Sequence, residues 1–292
     1  MRFVNVNHMQ TEPFTLTIKP VRFILNNYHR QAVSLPDDFN QKMIESLSSP
    51  VETVKKQIWG PWATAGLGLV VGVIFIITQS LITVAFIIAR LLEDTSIDLS
   101  QFADQLLKDG NLLSVATMAS AVVCVGIILI MVKVRRGETI ADYLALKPIS
   151  RKTVIVMLAI TVGFIILSSA FTFILPKTLD SDYMTSVYNN TSLPLLFWIA
   201  MVIFAPIFEE IFIRGFLFIG FRQSRIGPVG AIILTTLIWA PLHIQYGLFQ
   251  IAVIFVLGIV LGIVRHKTGS LLSPLIIHTF NNLLAMIMVS LQ

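Results

Sequence analysis

Three ionisable side chains sit in the middle of an apolar run, and that feature constrains this chain more than any other. The run extends from about Pro194 to Phe221, and its centre reads Phe208-Glu209-Glu210-Ile211-Phe212-Ile213-Arg214-Gly215-Phe216-Leu217. Roughly 20 apolar residues suffice for a helix to cross a bilayer. Each charge inside such a helix costs a few kcal/mol on insertion scales, so it is kept where it has a partner or a task. Glu210 and Arg214 stand four apart, share one helix face and can pair. Glu209 is turned about 100° away and meets only Phe212 and Ile213 at i+3 and i+4, which leaves one carboxylate without a local partner. Glu209 is therefore the functional candidate, and Glu210 with Arg214 reads as its structural support.

Composition agrees with a membrane setting. Of 292 residues, 55% are hydrophobic and 13% charged, about half the charge of an ordinary soluble chain. The formal net charge of +5 gives no argument for nucleic acid, because most lysines and arginines flank apolar runs, where they set topology. The single cysteine, Cys124, excludes an intrachain disulfide. Residues 1–57 carry seven Lys/Arg and five Asp/Glu and read as a cytoplasmic N-terminal tail with one short helix at Asp37–Leu47. The first residues lack a continuous apolar core and a small-residue cleavage site, so no signal peptide is expected. Met9 and Met43 are candidate alternative starts.

Seven apolar runs follow, at about 61–89, 112–132, 154–175, 194–221, 229–247, 248–264 and 271–291, and they define a transmembrane domain over 58–292. Connections rich in bases alternate with base-poor ones: Lys133, Arg135, Arg136, Lys147, Arg151 and Lys152 mark the second, Arg222 and Arg225 the fourth, and Arg265 and Lys267 the sixth. The expected fold is an all-α polytopic bundle of about seven membrane-spanning helices with a cytoplasmic N-terminus. Gly68-x-x-x-Gly72 and Gly258-x-x-x-Gly262 predict close helix approach, and Gln79 an interhelical hydrogen bond. Thr139 to Leu146 reads as an interfacial helix, and Pro241 as a break in the fifth run just before His243.

Two more polar groups interrupt apolar runs: Trp239-x-x-x-His243, and His278-x-x-x-Asn282 on one face of the last helix. At about 1.5 Å per residue from the basic end of each run, Glu209 lies ~18 Å deep, His243 ~21 Å, His278 ~10 Å and Asn282 ~16 Å. All four belong to one mid-membrane layer. A carboxylate beside an imidazole can hold and deprotonate water. An imidazole and an amide on a neighbouring helix can stabilise an oxyanion. Together they suit hydrolysis of an acyl bond by activated water. The same residues admit a zinc site with Glu209, His243 and His278 as ligands, although no His-Glu-x-x-His motif supports it. They also admit a polar core without catalysis, or a proton relay of the kind transporters use. The 209–214 pattern has no second copy, which argues against a transporter with repeated halves.

Glu209-Glu210-x-x-x-Arg214, an aromatic-x-x-x-His ending at His243, and His278-x-x-x-Asn282 resemble, in order and spacing over about 190–292, the CPBP family of intramembrane proteases. That family includes CAAX prenyl endopeptidases and bacterial Abi immunity proteins. The resemblance implies an endopeptidase acting on a membrane-associated or CAAX-like peptide, lipidated or not, from within a bacterial inner membrane. It implies that Glu209 and His243 activate water, that His278 and Asn282 form the oxyanion hole, and that Glu210 and Arg214 support the site. Trp239 stands where members of that family commonly have Phe, and it keeps an aromatic wall. No metal or other cofactor is expected, since Asn282 suits an oxyanion better than zinc. The alternative within the family is a non-catalytic membrane binder or immunity protein.

Overall fold

A computed structural model describes residues 58–93, 99–135, 137–174 and 182–292. The expected tail at 1–57 and its short helix at Asp37–Leu47 lie outside the described residues, as does Arg136. Every regular element among the described residues is helical. In chain order they are α1 (Pro61–Glu93), α2 (Leu99–Leu107), α3 (Gly110–Val134), α4 (Ile140–Leu144), α5 (Arg151–Ile174) and α6 (Tyr183–Asn189). A continuous helix, α7, spans Pro194–Phe221. It is followed by α8 (Gly227–Trp239), α9 (Leu248–Thr268) and α10 (Leu272–Ser290).

Six of these, α1, α3, α5, α7, α9 and α10, are long and apolar enough to cross a membrane. The chain is an integral multi-pass membrane protein. The fifth apolar run is shorter than the sequence suggested. It folds as Gly227–His243, with its α-helix ending at Trp239 and a 3₁₀ turn over Ala240–His243. The cause is Pro241, which has no N–H for the ladder and clashes with the carbonyl four residues back. The turn ends at His243 itself.

α7 is the axis of the bundle. It packs against α1, α3, α4, α8 and α10, and 39% of its apolar window is buried against 6% for α1. A helix whose apolar window is mostly uncovered is built to face lipid, and α1 exposes Leu69, Val73, Ile76 and Leu81 along its length. Close approach to α7 is made by small residues. A Cβ on Gly68 of α1 would lie 2.6 Å from Leu217, whereas Gly72 faces open space, so only half of the first glycine pair works as expected. The second pair works fully. Cβ atoms on Gly258 and Gly262 would meet Thr236 and Ile232 at 2.7 and 2.8 Å, which seats α9 directly on α8. Among the described residues none is hydrogen-bonded to the side chain of Gln79.

α4 begins at the cap Thr139, whose hydroxyl accepts from the N–H of Asp142, and ends at Ala145 in the left-handed region. It buries Tyr143 and Leu144 rather than lying freely on a surface. The N–H of Leu271 donates to the carbonyl of Ala145 at 2.9 Å, and the Ser270 hydroxyl to that of Lys147 at 2.6 Å. These bonds anchor the start of α10 beside Gly215 of α7, where Leu144 and Leu271 close over the missing side chain. The depth and rotation of α10 relative to α7 are thereby set.

Candidate active site

The ladder of α7 widens twice. Ala200–Phe204 and Glu210–Leu217 are π-helical, with one ordinary α-helical turn, Ala205–Glu209, between them. Such widened turns within α-helices are frequent at functional sites. Glu209 closes the α-helical turn and Glu210 opens the second wide stretch, so the two carboxylates leave α7 in different directions.

Glu210 and Arg214 are buried, at 0% and 1% exposure. Their ion pair is 2.8 Å long, as the four-residue spacing predicted. The guanidinium also donates to the carbonyl of Gly258 at 3.3 Å and lies 4.5 Å from the centre of the Trp239 ring. Glycine at 258 is what lets that carbonyl come so near. One arginine thus binds α7 to α8 and α9, and its charge is offset by a carboxylate and an aromatic face.

His278 of α10 completes the buried group. Its Nδ1 lies 2.9 Å from the Glu210 oxygen that also accepts from Arg214. A carboxylate paired with a guanidinium is ionised and can only accept, so Nδ1 carries the proton and donates. Nε2 then points the other way and lies 3.8 Å from Oε2 of Glu209. In the neutral ring that nitrogen bears a lone pair.

Glu209 retains 20% side-chain exposure. The indole N–H of Trp239 donates to its Oε2 at 2.5 Å. Its Oε1 has no partner among the described residues. The sequence reading took Trp239 as an aromatic wall; its N–H also fixes the carboxylate. The Trp239 ring meets His278 edge-on at 5.4 Å and His243 edge-on at 5.2 Å. Nδ1 of His243 lies 3.3 Å from the Trp239 carbonyl. His243 therefore reaches Glu209 through the indole and shares no direct bond with it.

Asn282 is one turn beyond His278. Its amide nitrogen donates to the carbonyl of Met201, in the first wide stretch of α7, at 3.0 Å. Its oxygen faces the amide of Asn281 at 3.4 Å. One amide hydrogen is thus spent on tying α10 to α7, and the second remains.

The structure brings Glu209, Glu210, Arg214, Trp239 and His278 into one bonded cluster, with His243 and Asn282 at its edges. Among the described residues no group of three His, Cys, Asp or Glu side chains is arranged to hold a metal ion. Of the donors considered for zinc, Glu209 accepts from the Trp239 N–H and lies 3.8 Å from the Nε2 of His278, and the Trp239 ring contacts both imidazoles. Two residues escaped the sequence reading. Arg265, taken as a flanking base, is 1% exposed and donates from Nε to the carbonyl of Arg214 at 3.2 Å. Tyr246, three residues after His243, stacks on that imidazole at 6.1 Å and meets Tyr183 of α6 edge-on at 5.6 Å. A tyrosine just beyond the histidine of a broken helix was the available signal.

With this geometry in hand, comparison with known proteins gives two matches. Residues 191–284 match the family model described as type II CAAX prenyl endopeptidase Rce1-like. An uncharacterised 24.3 kDa protein of Escherichia coli is 31% identical over 127 residues, covering 42% of this chain and 56% of its own length. The chain thus spans little more than half of that relative. No solved structure matches.

Proposed function

Starting from residues 191–284 as a segment of the CAAX protease family, we propose that the chain is an intramembrane endopeptidase using Glu209 to activate water. The observation that carries this reading is the asymmetry of the two carboxylates. Glu210 is consumed by Arg214 and His278, while Glu209 accepts from Trp239 through Oε2, which lies 3.8 Å from the Nε2 of His278, and keeps Oε1 free of described partners. A water bound at Oε1 would give a proton to Glu209 as its oxygen attacks the scissile carbonyl carbon. The carbonyl electron pair moves to oxygen, and Glu209 then returns the proton to the departing nitrogen. His243, edge-on to the same indole, is the group we assign to orient that water. Asn282 offers its second amide hydrogen to the developing oxyanion. An oxyanion role for His278 requires the imidazolium form, because the neutral ring has no proton at Nε2.

The substrate class we propose is a membrane-associated peptide, lipidated or not, cleaved without metal by a protein of the bacterial inner membrane whose N-terminus is cytoplasmic. The test is reconstitution in proteoliposomes with a pool of prenylated and unprenylated peptides, comparing wild type with Glu209→Gln. Cleavage by the wild type alone supports the reading. Equal cleavage by both would remove Glu209 from the reaction, and binding without cleavage would leave a membrane binder.

A further inference from the structure

The proposed hydrolysis leaves the site short of hydrogen-bond donors. Water attack places negative charge on the carbonyl oxygen, and that charge needs preorganised donors near 3 Å. The Nδ1 proton of His278 is committed to Glu210, and one Asn282 hydrogen is committed to Met201. Trp239 spends its only N–H on Glu209. Arg214 is enclosed at 1% exposure, between Glu210, Gly258 and the indole. The bonded cluster therefore holds Glu209 well and offers little to a substrate oxygen.

Tyr246 offers what is missing. It follows the 3₁₀ turn that carries His243, in the short connection before α9. Its ring lies against the imidazole of His243, interplanar angle 26°, which fixes where the phenol points. Tyr183 supports it from α6 at an angle of 84°. Its hydroxyl makes no hydrogen bond with any described residue. A half-buried phenol whose O–H has no partner among the described residues, one ring contact from His243 and two from the indole that holds Glu209, stands ready for a ligand.

We propose that Tyr246 is a further catalytic residue, whose O–H donates a hydrogen bond to the oxyanion of the scissile carbonyl. No proton is transferred from Tyr246: the carbonyl oxygen takes the electron pair as water adds, the phenol stabilises that charge, and the pair returns when the C–N bond breaks. Burial first, then the adjacent Tyr183 and the charge of Glu209, push the Tyr246 hydroxyl above the ordinary tyrosine range. The group stays protonated, and so stays a donor, throughout the range in which a carboxylate base is ionised. The charged and titratable groups facing it are Glu209 on α7, His243 at the end of α8 and Tyr183 on α6.

This inference rests on the endopeptidase reading and adds one donor to it. The experiment uses the full-length protein in proteoliposomes with the pool peptide that the wild type cleaves fastest, for wild type, Tyr246→Phe and Glu209→Gln. Tyr246→Phe removes only the hydroxyl and keeps the ring contacts. It should lower kcat by about a hundredfold, as loss of one oxyanion donor does, with KM and thermal unfolding unchanged. Full kcat in Tyr246→Phe, beside an inactive Glu209→Gln, would overturn the assignment of Tyr246 and leave the hydrolysis intact. A rise in KM at constant kcat would also overturn it, since the hydroxyl would then bind ground and transition states alike. Activity in Glu209→Gln, or a wild type inactive on every peptide, would overturn the endopeptidase reading and this inference with it.

Discussion

Replacing Glu210 with Gln keeps the shape of the side chain and removes its charge. Arg214 then remains 1% exposed, with the Gly258 carbonyl at 3.3 Å and the Trp239 face at 4.5 Å as its main supports. Both are neutral. Leaving one member of a buried ion pair without its counter-charge costs about 3–5 kcal/mol. The glutamine oxygen can still accept from either Arg214 or His278, which places the expected loss near the lower bound, about 3 kcal/mol. At 1.4 kcal/mol per decade, that is on the order of a hundredfold in the unfolding equilibrium. Glu209→Gln differs in kind. Its side chain is 20% exposed, its amide oxygen can still accept from Trp239, and no enclosed cation loses its direct partner, so the cost should stay below about 1 kcal/mol. The assay is denaturant titration in detergent micelles, followed by helicity and by tryptophan fluorescence, for wild type and both variants. A Glu209→Gln protein less stable than Glu210→Gln would mean that the structural and functional carboxylates have been exchanged.

Other expectations follow from neighbouring contacts. Gly220→Ala would put a methyl group 2.6 Å from Cβ of Thr64 and should cost about 1–3 kcal/mol in the same titration; adding Thr64→Gly should recover most of it, and no recovery would place the strain elsewhere. Asn282→Ala loses its bond to the Met201 carbonyl, so stability should fall by about 1 kcal/mol and kcat by about a hundredfold. An unchanged kcat would make Asn282 a tie between α7 and α10 only. Exhaustive chelation should leave peptide cleavage unaltered, and activity restored only by added zinc would establish a metal mechanism.

The local part of this architecture was legible in the chain. Glu210 and Arg214 declared their pairing by a four-residue spacing, and the pair is 2.8 Å long. Gly258 and Gly262 declared the close contact of α8 with α9. What spacing could not reveal is which side chain from another helix meets which. His278 was matched by depth with Glu209, yet its Nδ1 is bound to Glu210. His243 was expected beside Glu209, and what links them is the indole of Trp239, whose ring meets His243 and whose N–H is on Glu209. Rotation of α10 about its axis decides the first, and it is set by bonds from the Ser270 hydroxyl and the Leu271 N–H to carbonyls just after α4, more than 120 residues earlier. Arg265 illustrates the opposite error. Its place at the end of an apolar run has the signature of a topology signal, and nothing local distinguishes a flanking base from an enclosed one.

The widened stretch of α7 at Glu210–Leu217 makes the site sensitive to counting as well as to chemistry. A π turn is an α turn holding one extra residue, and its looser ladder is the place where a helix can most readily lose one. Deleting a single residue among 211–213 would let the ordinary ladder close with the flanking turns near their present register, Glu210 and Arg214 standing three apart and still on one face. Deleting one from the ordinary turn, among 206–208, would instead rotate Met201 and everything upstream by about 100° relative to Glu209. The bond from Asn282 to the Met201 carbonyl would be lost, although every side chain that matters would still be present. For this segment of chain the number of residues is itself inherited information, as binding as their identity.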